Sequence, residues 1–187
     1  VKTKTDRRGI VRVFGYDDLD RMTSEALAGA PISGISWKHD IAYDDAAAKK
    51  TEKDAKDNET TILYDGLERV IEVQDAAGTV LTTYDGVNKL TEKDRRGYVT
   101  RWEYDGLNRV TRALYAREPN QDPLASPADV ETVTYKDGER VRTEVDRNYD
   151  TTTIAMDGLG RTLSVERQGD WGAGQSGMTV VERATYE

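Results

Sequence analysis

The sequence predicts an all-β protein: an antiparallel meander of β-hairpins forming one curved, twisted sheet. Three observations predict it. First, a short phrase recurs: "LYDGLERV" at 63–70, "TYDGVNKL" at 83–90 and "EYDGLNRV" at 103–110. Second, another turn phrase falls between the copies, "DRRG" at 6–9 and 94–97 and "DAAG" at 75–78. Third, the stretches between turns alternate in polarity with the two-residue period of a strand. A phrase used many times in one chain is a building unit, and its period decides the architecture.

The units begin near Tyr16, Tyr43, Tyr64, Tyr84, Tyr104, Tyr135 and Met156, about twenty residues apart where nothing is inserted. Five copies align without gaps: "YDDLDR", "YDGLER", "YDGVNK", "YDGLNR" and "MDGLGR". Their defining residues are Tyr16, Asp17 and Arg21; Tyr64, Asp65 and Arg69; Tyr84, Asp85 and Lys89; Tyr104, Asp105 and Arg109; and Asp157 with Arg161. An Asp opening a type I turn accepts hydrogen bonds from amides two residues on. The fifth position reads Asp20, Glu68, Asn88, Asn108 and Gly160. Gly, Asn and Asp tolerate the left-handed conformation that closes a three-residue hairpin loop. Glu68 does not, so its turn should be mildly strained or differently closed. The basic residue starts the next strand.

With a second turn halfway round, each unit is a hairpin of two strands of six or seven residues. In "GYVTRWEY", Tyr98, Thr100, Trp102 and Tyr104 share one face, and Val99, Arg101 and Glu103 the other. One face is richer in aromatics and neither is fully apolar. Two packed sheets would demand a drier inner face, so a single sheet, wetted on both sides or packed only by its own next turn, fits better. The segment "YDDAAAKKTEKDAKDNE" at 43–59 has a helix-like content of Ala and Lys, but the repeat register makes it a hairpin with a polar tip. Insertions interrupt the repeat at about 25–40, 116–130 and 167–177 and read as long hairpin loops or sheet excursions.

Composition narrows the function. The 187 residues are 36% hydrophobic and 33% charged, with mean hydropathy −0.75, which opposes a dense core. A net charge of −8 with finely mixed signs makes nucleic acid and anionic membrane poor partners. There is no Cys, so disulfides and thiolate zinc sites are excluded, and no apolar run is long enough for a membrane span. The opening "VKTKTDRRG" resembles "LTEKDRRG" at 90–97, inside a repeat. The expectation is a single repeat segment over 1–187, part of a larger polypeptide. Isolated, its uncapped edges would self-associate edge to edge.

Residues 64–115, "YDGLERVIEVQDAAGTVLTTYDGVNKLTEKDRRGYVTRWEYDGLNRVTRALY", resemble a run of RHS/YD repeats. That unit is Tyr-Asp, two residues, Gly, Arg, a strand, then Gly-x-x-Thr-x-x-Tyr. The flanks 1–59 and 130–187 match more loosely and the insertions not at all. The resemblance implies a structural part. YD repeats of RHS toxins, of insecticidal toxin-complex C subunits and of teneurins form a β-ribbon that spirals into a hollow shell. In the bacterial toxins it encloses a C-terminal toxic domain. The family's self-cleavage segment, Asp-Pro-x-Gly-Leu, is not found; "QDPLASP" at 121–127 shares only Asp-Pro. What is implied is a secreted or surface-located bacterial wall segment, without protease or payload. Its partners would be the rest of its own polypeptide and an enclosed toxin. The alternative is a cell-surface adhesion or carbohydrate-binding module.

Chemistry has few candidates. His39 in "SWKHD" has no second His and no nucleophile elbow beside it, so it reads as a loop histidine and no catalytic residue is assigned. Asp146, Asn148 and Asp150 in "DRNYD", with Asp157 beyond, have calcium-loop spacing. The Gly that such a loop needs at its sixth place is Thr151, so a strand turn is preferred. No metal or cofactor is expected. If a ligand is recognised, Trp37 and Trp171 on the insertions are the residues to contact it.

Overall fold

The structure, a computed structural model, describes residues 2–28, 38–125, 128–169 and 178–183. Among these every regular element is a strand. The chain falls into two units, 1–82 and 83–187. The first holds β1 (Lys2–Thr5), β2 (Val11–Tyr16), β3 (Met22–Leu27), β4 (Lys38–Asp44), β5 (Lys49–Lys53), β6 (Glu59–Tyr64), β7 (Val70–Asp75) and β8 (Gly78–Tyr84), whose last two residues belong to the second. The second holds β9 (Lys89–Lys93), β10 (Val99–Tyr104), β11 (Val110–Ala116), β12 (Ala128–Lys136), β13 (Val141–Val145), β14 (Thr151–Met156), β15 (Thr162–Gly169) and β16 (Met178–Arg183).

Within each unit every strand pairs antiparallel with the next in sequence. This is the predicted meander. Short turns allow nothing else, because antiparallel neighbours need only a tight link and parallel ones a long crossover. Residues 43–59 form no helix: they are the end of β4, a turn, β5, and a second turn. Glu25–Leu27, Lys38–Asp40, 128–130 and 167–169, read in sequence as insertion, are strand, because the ladder pairing runs on past the repeat phrase.

Turns alternate between two rims of each unit. Loops after even-numbered strands form the Tyr-Asp rim, and loops after odd-numbered strands form the opposite rim. Four Tyr-Asp turns carry an extra feature. The register slips by one residue beside Tyr16, Tyr64, Tyr104 and Met156. Thr23, Ile71, Thr111 and Leu163 are the extra residues, so the strand leaving each turn is bulged, which sharpens local twist.

The core is thin. Among the described residues the buried apolar side chains of the strands are Ile41, Ala113, Leu114 and Ala116, and no polar side chain is buried. Three of the four lie on β11. The described part of the 117–127 loop folds back on the turn after β9: the Asn120 N–H donates to the Gly97 carbonyl at 2.8 Å, and Gly97 and Pro123 are buried.

Candidate functional site, the Tyr-Asp turn ladder

Eight turns among the described residues share one construction, opened by Asp6, Asp17, Asp54, Asp65, Asp94, Asp105, Asp146 and Asp157. In each, the N–H of the fourth residue donates to the Asp carbonyl, and the Asp N–H donates to the fifth residue's carbonyl. The Asp Oδ1 accepts the N–H groups of the third and fifth residues at 2.7–3.0 Å. One carboxylate thus replaces the carbonyl that the fifth residue's amide would have met in a plain ladder.

The fourth residue is left-handed in all eight. Gly9, Gly97 and Gly160 take φ of 81°, 90° and 77°; Asp20, Asp57, Glu68, Asn108 and Tyr149 lie between 59° and 67°. Glu68 therefore adopts the common closure with a strained backbone. The copy that departs is Asp85, where the Asp85 N–H donates to the Asn88 carbonyl. That loop closes one residue earlier, and Lys89 is already in β9.

On the four Tyr-Asp turns of this form an arginine adds a further bond. Arg21, Arg69, Arg109 and Arg161 each return Nε to Oδ2 of their own Asp, at 2.8, 2.8, 2.8 and 2.6 Å. An ammonium has no such fork. Lys89 instead pairs with Glu92 and lies 4.7 Å from the Trp102 ring centre.

The ladder continues from turn to turn. Arg21 reaches Asp45 in the next Tyr-Asp turn, with Nη atoms at 2.6 and 3.2 Å, and stacks over Tyr43 at 4.2 Å. In the second unit Arg109 reaches Asp137 at 2.6 and 3.0 Å and stacks over Tyr135 at 4.0 Å. A guanidinium lying flat on a ring, with both edges on carboxylates, satisfies charge and apolar surface together. Tyrosine hydroxyls tie in also: Tyr43 donates to the Met22 carbonyl at 3.3 Å and Tyr104 to that of Lys89 at 2.7 Å.

Electrostatics follow the hydrogen bonds. The Arg21 backbone N–H, with its guanidinium, holds the Asp17 carboxyl below the ordinary aspartate range, and Arg109 does the same to Asp105 and Arg161 to Asp157. For Asp65 the Arg69 side chain is the larger cause. Asp45 and Asp137 are lowered by the neighbouring turn's guanidinium, which is itself pushed further from losing its proton.

Beside each ladder lies an open cleft, about 450 Å³ around Arg21, Tyr43, Asp45 and Tyr64 and about 340 Å³ around Arg109, Tyr135, Asp137 and Met156. The aligned positions match, so the cleft belongs to the repeat.

Asp45 and Asp137 were not singled out in sequence; the signal is an Asp two residues after Tyr43 and Tyr135. The turn at Asp54 was hidden because Asp57 stands where Gly would signal it, whereas 146–150, preferred in sequence as a strand turn, is one, with Tyr149 in the left-handed place. Asp146 spends its carboxylate capping its own turn, and among the described residues no group of His, Asp or Glu could hold a metal ion. His39 is a correction: it lies in β4, opposite Glu25, with Nε2 3.7 Å from Glu52, because the strand extends before Tyr43. Trp37 and Trp171 lie outside the described residues.

The fold and the recurring turn define a β-repeat protein whose motif residues satisfy one another. Residues 84–118 match the RHS Repeat family model. A solved structure, "Crystal Structure of TcdB2-TccC3 without hypervariable C-terminal region", is similar over 89% of this chain at 13% identity with a TM-score of 0.58. A second, "Crystal Structure of TcdB2-TccC3", covers 94% at 15% identity and a TM-score of 0.47. The chain spans about a tenth of the length of either solved chain. No curated protein matches it in sequence. Residues 84–118 thus carry an RHS repeat, and the chain shares its all-β fold with the first of these solved structures.

Proposed function

We propose that this chain is a non-catalytic wall segment of an RHS/YD-repeat β-shell that encloses a toxin or effector domain, secreted or displayed by a bacterium. One observation carries the reading. The Tyr, Asp and Arg of the motif are consumed by each other, within a turn and from one turn to the next. A ligand at the motif would have to break charge-assisted bonds already made. What such a ladder does is hold neighbouring hairpins in register. The mechanism is steric: a continuous sheet separates a passenger from the cell that makes it. A reconstruction of the natural full-length polypeptide by cryo-electron microscopy tests this. A closed shell with density inside is the expected result; an open ribbon with its loops facing solvent would overturn containment.

A further inference from the structure

The two faces of the sheet at β9–β12 differ in how their charges are spent. On one face stand Glu92, Asp129 and Glu131, each held by a cation: Lys89, Arg117 and Arg147. Register sets the other face, because residues paired across an antiparallel ladder point the same way. Thr91, Arg101, Leu114 and Val130 form one row across the four strands. Lys93 and Val99 lie on one side of that row, and Glu103, Arg112 and Thr132 on the other. Arg112 spends its charge on Glu103, with Nη1 2.9 Å from Oε2. Lys93 and Arg101 spend theirs on nothing: both are half-buried, and among the described residues neither meets an acidic side chain. The Arg101 Nε–H is buried without an acceptor.

An arginine so placed costs stability. A buried donor with no acceptor is expensive, and Thr91, Leu114 and Val130 return nothing for the charge. Its aliphatic stem stands across the ladder from Leu114, which is 4% exposed, and an uncharged methionine would cover that leucine as well. Packing accounts for the stem and leaves the guanidinium unexplained. Lys93 is paired with Val99, two residues before Arg101, so the two cations stand on a diagonal of the ladder about 7–8 Å apart at the backbone. Side chains at alternate positions of an extended peptide share a face and lie about 6.5–7 Å apart. We propose that this face of β9–β11 is a docking surface for an extended acidic peptide segment, with acids at alternate positions. One carboxylate goes to Arg101 and supplies the acceptor its Nε–H lacks; the other goes to Lys93. Val99 and Val130 give the stems of those acids an apolar floor. A long polyanion such as nucleic acid fits less well, since a chain of net charge −8 repels it and only two cations are unspent here.

NMR titration of the isotope-labelled 187-residue chain with the peptide Gly-Ser-Glu-Thr-Glu-Ser-Gly tests the assignment. The Arg101 Nε–H signal and the amides of Lys93 and Val99 shift and saturate, and binding weakens as salt rises. The same peptide with Gln in place of both Glu leaves those signals where they are. Arg101→Met and Lys93→Met each weaken binding by at least about fivefold. Lys4→Met, an equal loss of charge in the other unit, leaves it unchanged. The melting temperature of Arg101→Met is equal to or above that of the parent chain, because the charge removed has no acid partner. Binding that survives Arg101→Met, or no shift at Arg101, would overturn the assignment. So would a clearly lower melting temperature for that variant, which would make the guanidinium part of the fold, or tighter binding of an oligothymidylate than of the peptide.

Discussion

Strand β11 and the turn that leads into it hold the second unit together by opposite means. The strand buries Ala113, Leu114 and Ala116 between β10 and β12 and works through lost apolar surface. The turn, 105–109, exposes Gly106, Leu107 and Asn108 and works through hydrogen bonds to one carboxylate. Burial of this kind occurs at few places in the described chain, whereas the turn is repeated. Cohesion is therefore local and polar at the rims and apolar only in patches, as a chain one-third charged requires.

Acid should separate the two contributions most strongly. Asp6, Asp17, Asp45, Asp54, Asp65, Asp94, Asp105, Asp137 and Asp157 all have lowered pKa values in the folded chain. The unfolded chain then takes up protons first. The stabilisation is whole above the ordinary aspartate value near 3.9 and is lost as pH falls through the lower folded values, beginning below about pH 5. Urea midpoints should hold steady from pH 7 to 5.5 and then fall steeply. A midpoint indifferent to pH down to 3 would mean that the turns contribute nothing and burial alone holds the sheet.

On the apolar side, Leu114→Ala should cost about 2–3 kcal/mol, at the low end for a buried leucine because the surrounding core is thin. Leu107→Ala in the turn should stay within about 0.5 kcal/mol. Equal losses in denaturant titrations would erase the contrast between strand and turn.

Glycines give a finer cut. Gly97 is left-handed, and a Cβ there would stand 3.3 Å from Pro119 Cβ and from Asn120 Oδ1. Gly97→Ala should cost about 1–2 kcal/mol. Gly66 meets nothing within 4 Å and has ordinary φ, so Gly66→Ala should be neutral or stabilising by up to about 1 kcal/mol. The smallest expected change is a gain: Glu68→Gly relieves a left-handed backbone and should stabilise by about 0.5–1 kcal/mol, less the entropy glycine returns to the unfolded chain. Thermal melts of the single variants rank all three.

Much of the candidate site was legible because its causes are local. An Asp that caps its own turn and a residue that goes left-handed within it interact over four positions, so Asp17, Asp65, Asp105 and Asp157 announce themselves. The partners of Arg21 and Arg109 were not legible, because Asp45 and Asp137 are 24 and 28 residues away and become neighbours only through pairing. Composition pointed to Glu68 as the irregular turn. In the structure all eight turns share one closure, Glu68 among them, and it is Asp85 that departs.

By itself the sequence determined the class of fold, the place of the Tyr-Asp turns and the thinness of the core. Each depends on interactions a few residues long or on composition. Tertiary structure decided the rest: which guanidinium bridges which carboxylate, and where the ladder slips beside Tyr16, Tyr64, Tyr104 and Met156. Those depend on strands being set side by side. Register across a sheet is a relation between distant residues, and a local phrase repeated along the chain carries no label for it.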